Sequence, residues 1–302
     1  MIQTRDHLLP HGITLSCRSA GTAGRPVLMF LHGFPEAAFV WDATLLHFSR
    51  PEHGGYHCVA PNLRGYAGSS APAEVAAYRA KHLMQDVTAL TADICGESGQ
   101  LACLVAHDWG GAVAWNLAAA SPGLAARLAI INSPHPGTFL KALQHSPAQQ
   151  AASAYMNFLI RPDAEALLAE DDYRRLWALF TGIGAVSGPR AWLTESLRRQ
   201  YRAVWEAGLS GPLNYYRASP LRPPRPGDPA AAAVLLPPGM LQVTLPTLVL
   251  WGTGDTALLP ELLDGLAAFV PQMRLERIEG ATHWIVHEQP ALVQARLAAF
   301  LG

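Results

Sequence analysis

The strongest chemical signal in the chain is the run Ala106-His107-Asp108-Trp109-Gly110-Gly111. An apolar stretch, 101–107, leads straight into it and an Ala-rich stretch, 112–120, leaves it. A strand that turns abruptly into a helix holds one side chain exposed above its sheet and needs small residues two positions to either side, here Ala106 and Gly110. The exposed side chain is Asp108. A serine in that place would need a base to remove its proton, whereas a carboxylate with a reference pKa of about 3.9 is already an anion at neutral pH. Asp108 is therefore suited to attack an sp³ carbon that bears a leaving group or a strained oxygen. The product is an alkyl ester that water must then cleave. The simpler alternative is an aspartate that only caps the next helix, but capping needs neither the glycine pair nor the preceding histidine.

Other residues complete such a site. His32-Gly33-Phe34-Pro35-Glu36 follows an apolar run, and its turn aims the N–H of Phe34 at the nucleophile. With the N–H of Trp109, it forms an expected oxyanion hole for ester hydrolysis. His32 reads chiefly as a turn residue and, with Trp109 and Tyr215, as a candidate for substrate contact. His283, in Gly280-Ala281-Thr282-His283-Trp284, stands where the base belongs in chain order, and it should be neutral to take a proton from water. Asp255, in Trp251-Gly252-Thr253-Gly254-Asp255, is the expected orienting acid, with a plain turn aspartate as its alternative. Glu261 and Asp264 are weaker candidates because they fall on a predicted helix. His287 reads as a surface or packing residue.

These residues need a scaffold that gathers them. Apolar runs at 27–33, 56–62, 101–108, 128–134, 247–255 and 273–280 alternate with helical periodicity at 81–96, 110–120, 260–269 and 289–301. That alternation predicts βαβ units on a mostly parallel sheet with helices on both faces, preceded by a hairpin around Pro10-His11-Gly12. It breaks between 134 and 241, where helices are expected at 164–180 and 190–206 before a Pro-rich loop or hinge. The expected division is a core of 1–133 and 242–302 with a helical cap, 134–241, inserted into it.

Lys plus Arg (22) nearly balances Asp plus Glu (23), which argues against nucleic acid or a membrane surface as the partner and favours a small, largely uncharged substrate. The four cysteines, Cys17, Cys58, Cys95 and Cys103, lack metal or redox spacing, and Cys58 and Cys103 read as small core hydrophobes. No motif calls for a metal or cofactor; water is the co-substrate. The start has no signal-peptide pattern, no apolar run is of membrane-spanning length, and a cytoplasmic monomer or homodimer is the default expectation.

The blocks HGFPE, APNLRGYAGSS (60–70), HDWGG, INSPHP (131–136) and GATHW together resemble the epoxide hydrolases of the α/β-hydrolase superfamily, in that family's order and over nearly the whole chain. The resemblance implies an α/β-hydrolase fold, with epoxides opened to vicinal diols through an ester on Asp108. It also implies two oxirane-binding tyrosines. GLSGPLNYYRAS (208–219) is similar to the segment carrying one, which falls on Tyr216 beside Tyr215, and SAYMNFLIRPDAE (153–165) to the segment carrying the other, on Tyr155. Phenols suit the task because the epoxide oxygen needs a proton as the ring opens; packing of a helical cap is the plainer reading of both. Phe158, Trp177, Phe180, Trp192 and Trp205 read as cap core and the arginines of 190–202 as a solvated face. HGFP and HDWGG are shared with haloalkane dehalogenases, so haloalkane or haloacid dehalogenation is the alternative, with a non-catalytic receptor behind it. Against these stand Phe34, where a halide site would want an amide side chain, and Trp109, where a haloacid site would want arginine.

Overall fold

The computed structural model describes residues 1–96, 99–182 and 192–302. The predicted hairpin is present as β1 (Gln3–Leu8) and β2 (Thr14–Ala20). It is followed by β3 (Val27–Leu31), α1 (Asp42–Phe48), β4 (His57–Pro61), α2 (Ala80–Cys95), β5 (Cys103–His107), α3 (Asp108–Ala120) and β6 (Leu128–Ile131). The chain then leaves the sheet for α4 (Pro136–His145), α5 (Pro147–Ala152), α6 (Tyr155–Leu159), α7 (Ala164–Thr181), α8 (Glu195–Glu206) and α9 (Ser210–Ala218). It returns for β7 (Thr247–Gly252), β8 (Met273–Ile278), α10 (Ile285–Glu288) and α11 (Pro290–Leu301). Among the described residues these strands form one sheet in the order β1-β2-β4-β3-β5-β6-β7-β8, antiparallel at β1-β2-β4 and parallel from β4 to β8.

Strand residues alternate between two buried faces, as a period of two requires. Met29, Leu31, Leu104, Ala106 and Val249 face the side covered by α2, α3 and the helices between β6 and β7. Leu28, Phe30, Val105 and Leu250 face α1 and α11, where Leu45, Phe48 and Leu297 meet them. Cys58 and Cys103 sit fully buried within these strands, and burial pushes both thiols up to about 12, as expected of packing residues. Among the described residues no helix is long and apolar enough to cross a membrane.

Three expectations differ from the structure. The helix expected at 260–269 is two short 3₁₀ turns, Pro260–Leu263 and Leu266–Ala268, because Gly265 between them is left-handed at φ +79° and cannot carry a helix through. The helix expected at 164–180 runs to Thr181 but is broken at Glu170–Tyr173, where Asp171, Asp172 and Tyr173 are left-handed. The helix expected from 190 begins at Glu195, capped by the Thr194 hydroxyl accepting from the N–H of Leu197; Arg190 lies outside the described residues. The Pro-rich stretch is ordered, with Gln144 of α4 donating to the carbonyls of Ala231 and Val234.

One buried ion pair ties the β4–α2 loop to α2 and to the hairpin turn, and the same loop holds α9. Arg64 donates two hydrogen bonds to the Asp86 carboxylate at 2.6 and 2.8 Å and a third to Ala77 O, while His11 of the hairpin turn reaches the same carboxylate at 2.7 Å. The Arg64 carbonyl in turn accepts from the Tyr215 hydroxyl on α9 at 2.8 Å. The two side chains are 4% and 3% exposed, so breaking the pair leaves a charge stranded out of water. Asp86→Ala should therefore cost about 3 kcal/mol, seen as a lower urea midpoint at unchanged m. A loss below about 0.5 kcal/mol would contradict this role for the pair.

Candidate active site

Parallel strands deliver five residues of the site to one edge of the sheet, while Tyr155 comes from α6 and Tyr215 and Tyr216 from α9. Phe34 follows β3, Asp108 follows β5, Asn132 follows β6, Asp255 follows β7 and His283 follows β8, all at carboxyl ends, where ligands gather in open parallel sheets. Asp108 sits at φ +49°, the left-handed region that an L-residue adopts only when its surroundings impose it. The surroundings are tight. A Cβ on Gly33 would lie 2.4 Å from Asp108 Cβ, one on Gly111 2.3 Å from Ser133 Cβ, and one on Gly110 2.7 Å from His32 O. Gly110 N–H donates to His32 O at 3.0 Å, and Ser133 Oγ donates to Asp108 O at 2.7 Å.

The Phe34 N–H donates to Asp108 Oδ1 at 2.7 Å. Trp109 occupies the first turn of α3, where backbone N–H groups have no intrahelical acceptor. His283 Nε2 is 3.7 Å from the other carboxylate oxygen, Oδ2, and its Nδ1 bonds Asp255 Oδ2 at 2.8 Å. Asp255 is held in turn by the Asn132 amide at 2.8 Å and by the N–H groups of Ala257 and Leu258, each at 2.9 Å. Asn132, left-handed at φ +39°, also accepts from Gly252 N–H, which locks the turns after β6 and β7 together.

Electrostatics modify one expectation. Burial alone would lower the His283 pKa, but the charge and hydrogen bond of Asp255 outweigh it, and with Asp108 and Glu36 they push it up to about 9. The substrate-free imidazole thus carries a proton at neutral pH, where the sequence suggested a neutral ring. Burial raises Asp255, yet His283, the Leu258 N–H and Asn132 together bring it below its ordinary value.

Tyr155 and Tyr216 come together over the site, with ring centroids 6.3 Å apart, and Tyr216 stands edge-on to Phe34 at 5.1 Å and to Trp109 at 5.0 Å. Burial raises both phenols, the Asp108 charge adds to it, and both stay protonated. The neighbouring hydroxyl of Tyr215 is committed to Arg64 O, although its ring and that of Trp109 line the cavity above Asp108. His32 is placed otherwise than a substrate contact. It is fully buried outside that cavity, with Nδ1 donating to Gly33 O and Nε2 accepting from Leu63 N–H, and burial lowers its pKa to about 4. Trp177, Phe180, Trp192 and Trp205 pack together with Tyr201 and do not line the cavity, and the half-buried Phe158 lies outside it too. Arg198 and Arg202 lie over the Trp177 ring, and Glu261 accepts from Ser146 at the surface.

Sequence reading missed a buried layer behind His283. Glu36, wholly buried, meets His287 Nε2 at 2.5 Å and His107 Nδ1 at 3.1 Å and accepts from the Tyr201 hydroxyl at 3.0 Å. Burial opposes its charge, but the two histidines hold its carboxyl well below the usual carboxylate range. His107 Nε2 then reaches His283 O at 2.9 Å, and Trp205 of α8 donates to Pro35 O at 2.8 Å. His287 is thus a buried packing residue, stacked on Trp192 at 4.0 Å. Its spacing of four from His283 was a usable signal; for Tyr201 the sequence held none. Because the folded pKa of His283 lies above its unfolded value, its stabilising contribution is full below about 6.5 and disappears as pH rises through about 9. ¹⁵N NMR of the ring should find that titration near 9, moved down by Asp108→Asn and further by Asp255→Asn. An unmoved titration in both variants would contradict the charge arrangement.

The α/β hydrolase fold family matches residues 26–290. Epoxide hydrolase 4 of Mus musculus is 33% identical over 298 residues, spanning 96% of this chain and 77% of the mouse protein. A solved structure of epoxide hydrolases from metagenomes of hot environments is 37% identical with a TM-score of 0.86, covering 100% of this chain and 99% of its own. Bacillus megaterium epoxide hydrolase, solved with an inhibitor, is 29% identical with a TM-score of 0.87, covering 98% and 99%. The chain belongs to the α/β-hydrolase fold family and is a homologue of its epoxide hydrolases.

Proposed function

We propose that this protein hydrolyses epoxides to vicinal diols through an ester on Asp108. The observation that carries the reading is the asymmetric placing of that carboxylate: Oδ1 rests on the Phe34 N–H at 2.7 Å, while Oδ2 faces His283 across 3.7 Å and has no closer partner among the described residues. Oδ2 is then the attacking atom. It bonds to an oxirane carbon, the C–O bond of the ring breaks, and the departing oxygen takes a proton from Tyr155 or Tyr216. Helices α4–α9, carrying both tyrosines, act as the cap that closes over the reaction.

Esterification removes the Asp108 charge, one of the influences raising His283, so the imidazole pKa falls as the ester forms; its proton passes to the tyrosinate left by ring opening, and the neutral ring is available as a base. His283 takes a proton from water that attacks the ester carbon, and Asp255 stabilises the imidazolium. Oδ1, already beside Phe34 N–H, becomes the oxyanion, with the Trp109 N–H as second donor. Collapse releases the diol, its oxygen taking the proton from His283, and the proton left on the Asp108 carboxyl passes to His283, which restores the carboxylate and the imidazolium.

In His283→Gln, attack should proceed and hydrolysis should stop, so intact-protein mass spectrometry after epoxide addition should show a stable adduct that maps to Asp108. In the unaltered protein a single turnover in ¹⁸O-water should label the Asp108 carboxylate. An adduct at another residue, or label only in the diol, would exclude the ester route.

The tyrosines are separable from that chemistry. The Tyr155→Phe, Tyr216→Phe double variant should slow pre-steady-state alkylation by about 10² to 10⁴, with each single variant far milder because one phenol remains to donate. Tyr215→Phe, whose hydroxyl serves Arg64 O, is the control. Unchanged alkylation in the double variant would return both tyrosines to packing, and turnover of a bromoalkane without epoxide turnover would identify a dehalogenase.

A further inference from the structure

The cavity above Asp108, about 220 Å³ in volume, has a floor made by one face of α3: Asp108, Trp109, Ala112, Val113 and Asn116. The helix serves as a ruler. Eight residues at 1.5 Å each put Asn116 about 12 Å from the nucleophile along the cavity. Most of the other side chains that line the cavity are apolar, Leu83 and Met156 among them.

The polar groups of the wall are mostly spent on the protein itself. Ser133 Oγ donates to Asp108 O, Tyr78 to Pro72 O and Tyr215 to Arg64 O, while Ser219 Oγ accepts from Leu221 N–H. At the reacting end Asp108, Tyr155 and Tyr216 remain for substrate. At the far end Asn116 donates one amide hydrogen to Ala112 O at 2.7 Å, and its carbonyl oxygen and second amide hydrogen have no partner among the described residues. Asp108 is the only Asp, Glu, Lys, Arg or His among the described lining residues, so nothing there would balance an ionised substrate tail.

We infer that Asn116 is a distal specificity residue, and that the site takes uncharged epoxides whose apolar arm ends in a hydrogen-bonding group such as a hydroxyl, ether or amide. The inference rests on the epoxide-hydrolase reading above. An extended chain advances about 1.2 Å per bond, which puts that group roughly eight to ten bonds from the attacked carbon. A polar group placed there meets the free Asn116 amide; a methyl in its place leaves that amide unpaired against an apolar surface. The difference amounts to a factor of about 10.

The test pairs 1,2-epoxyalkanes with their ω-hydroxy counterparts across arms of four to twelve bonds, reading kcat/KM by diol formation. The expected result is an ω-hydroxy to ω-methyl ratio that peaks at eight to ten bonds, about tenfold above its value for short arms. Asn116→Leu and Asn116→Ala should both flatten the peak; Ala is included because it favours the helix and keeps the fold. A ratio independent of arm length, or a peak surviving in both variants, would overturn the role of Asn116 and leave the epoxide-hydrolase reading intact. Absence of diol from every epoxide would overturn both.

Discussion

The left-handed backbone at Asp108 is the constraint on which the site depends. An aspartate at φ +49° costs on the order of 1–3 kcal/mol that an ordinary helix start would not. The surroundings enforce it from every side: β5 is pinned between β3 and β6, Gly110 bonds across to His32 O, and Ser133 holds the Asp108 carbonyl. The glycines are small because side chains would collide with the elbow, as the 2.4 Å approach at Gly33 makes plain. What the strain achieves is direction. The carboxylate stands clear of the helix it begins, one oxygen against a backbone donor and the other open to the cavity.

The same logic extends to the groups behind the site. Asp255 is too buried to remain charged without help, and it receives that help from Asn132, two backbone N–H groups and His283. Glu36 is more buried still and relies on His107, His287 and Tyr201. Each anion is stabilised by groups from separate elements, so electrostatic satisfaction and tertiary assembly are one event. Tyr201 and Trp205 bring α8 into that event by contacting Glu36 and Pro35, which ties the helices above the sheet to the turn that supplies the Phe34 donor.

Charge within the site changes during the proposed reaction, and that gives it an order. With two carboxylates nearby, His283 rests as an imidazolium. Loss of the Asp108 charge on esterification weakens its hold on the proton just when a base is needed. A histidine beside a neutral nucleophile would lack this coupling.

The sequence by itself determined the alternation of strands and helices, the hairpin, the elbow around Asp108 and the order Asp108, Asp255, His283, since these are local patterns of hydrophobic period and turn chemistry. Local signals also misled where a glycine intervened, as Gly265 did in the helix expected at 260–269. It was tertiary structure that separated Tyr216 from Tyr215: the two are adjacent on α9, and the difference lies in Arg64 O, 151 residues away, which takes one hydroxyl and leaves the other over the cavity. His32 was withdrawn from the cavity in the same way, by Leu63 N–H and Gly33 O. Asn132, Glu36, His287 and Tyr201 gained their places through partners distant in sequence. A hydrogen bond or ion pair of that kind depends on which side chains the fold brings within about 3 Å, and residue type and spacing along a single chain do not record it.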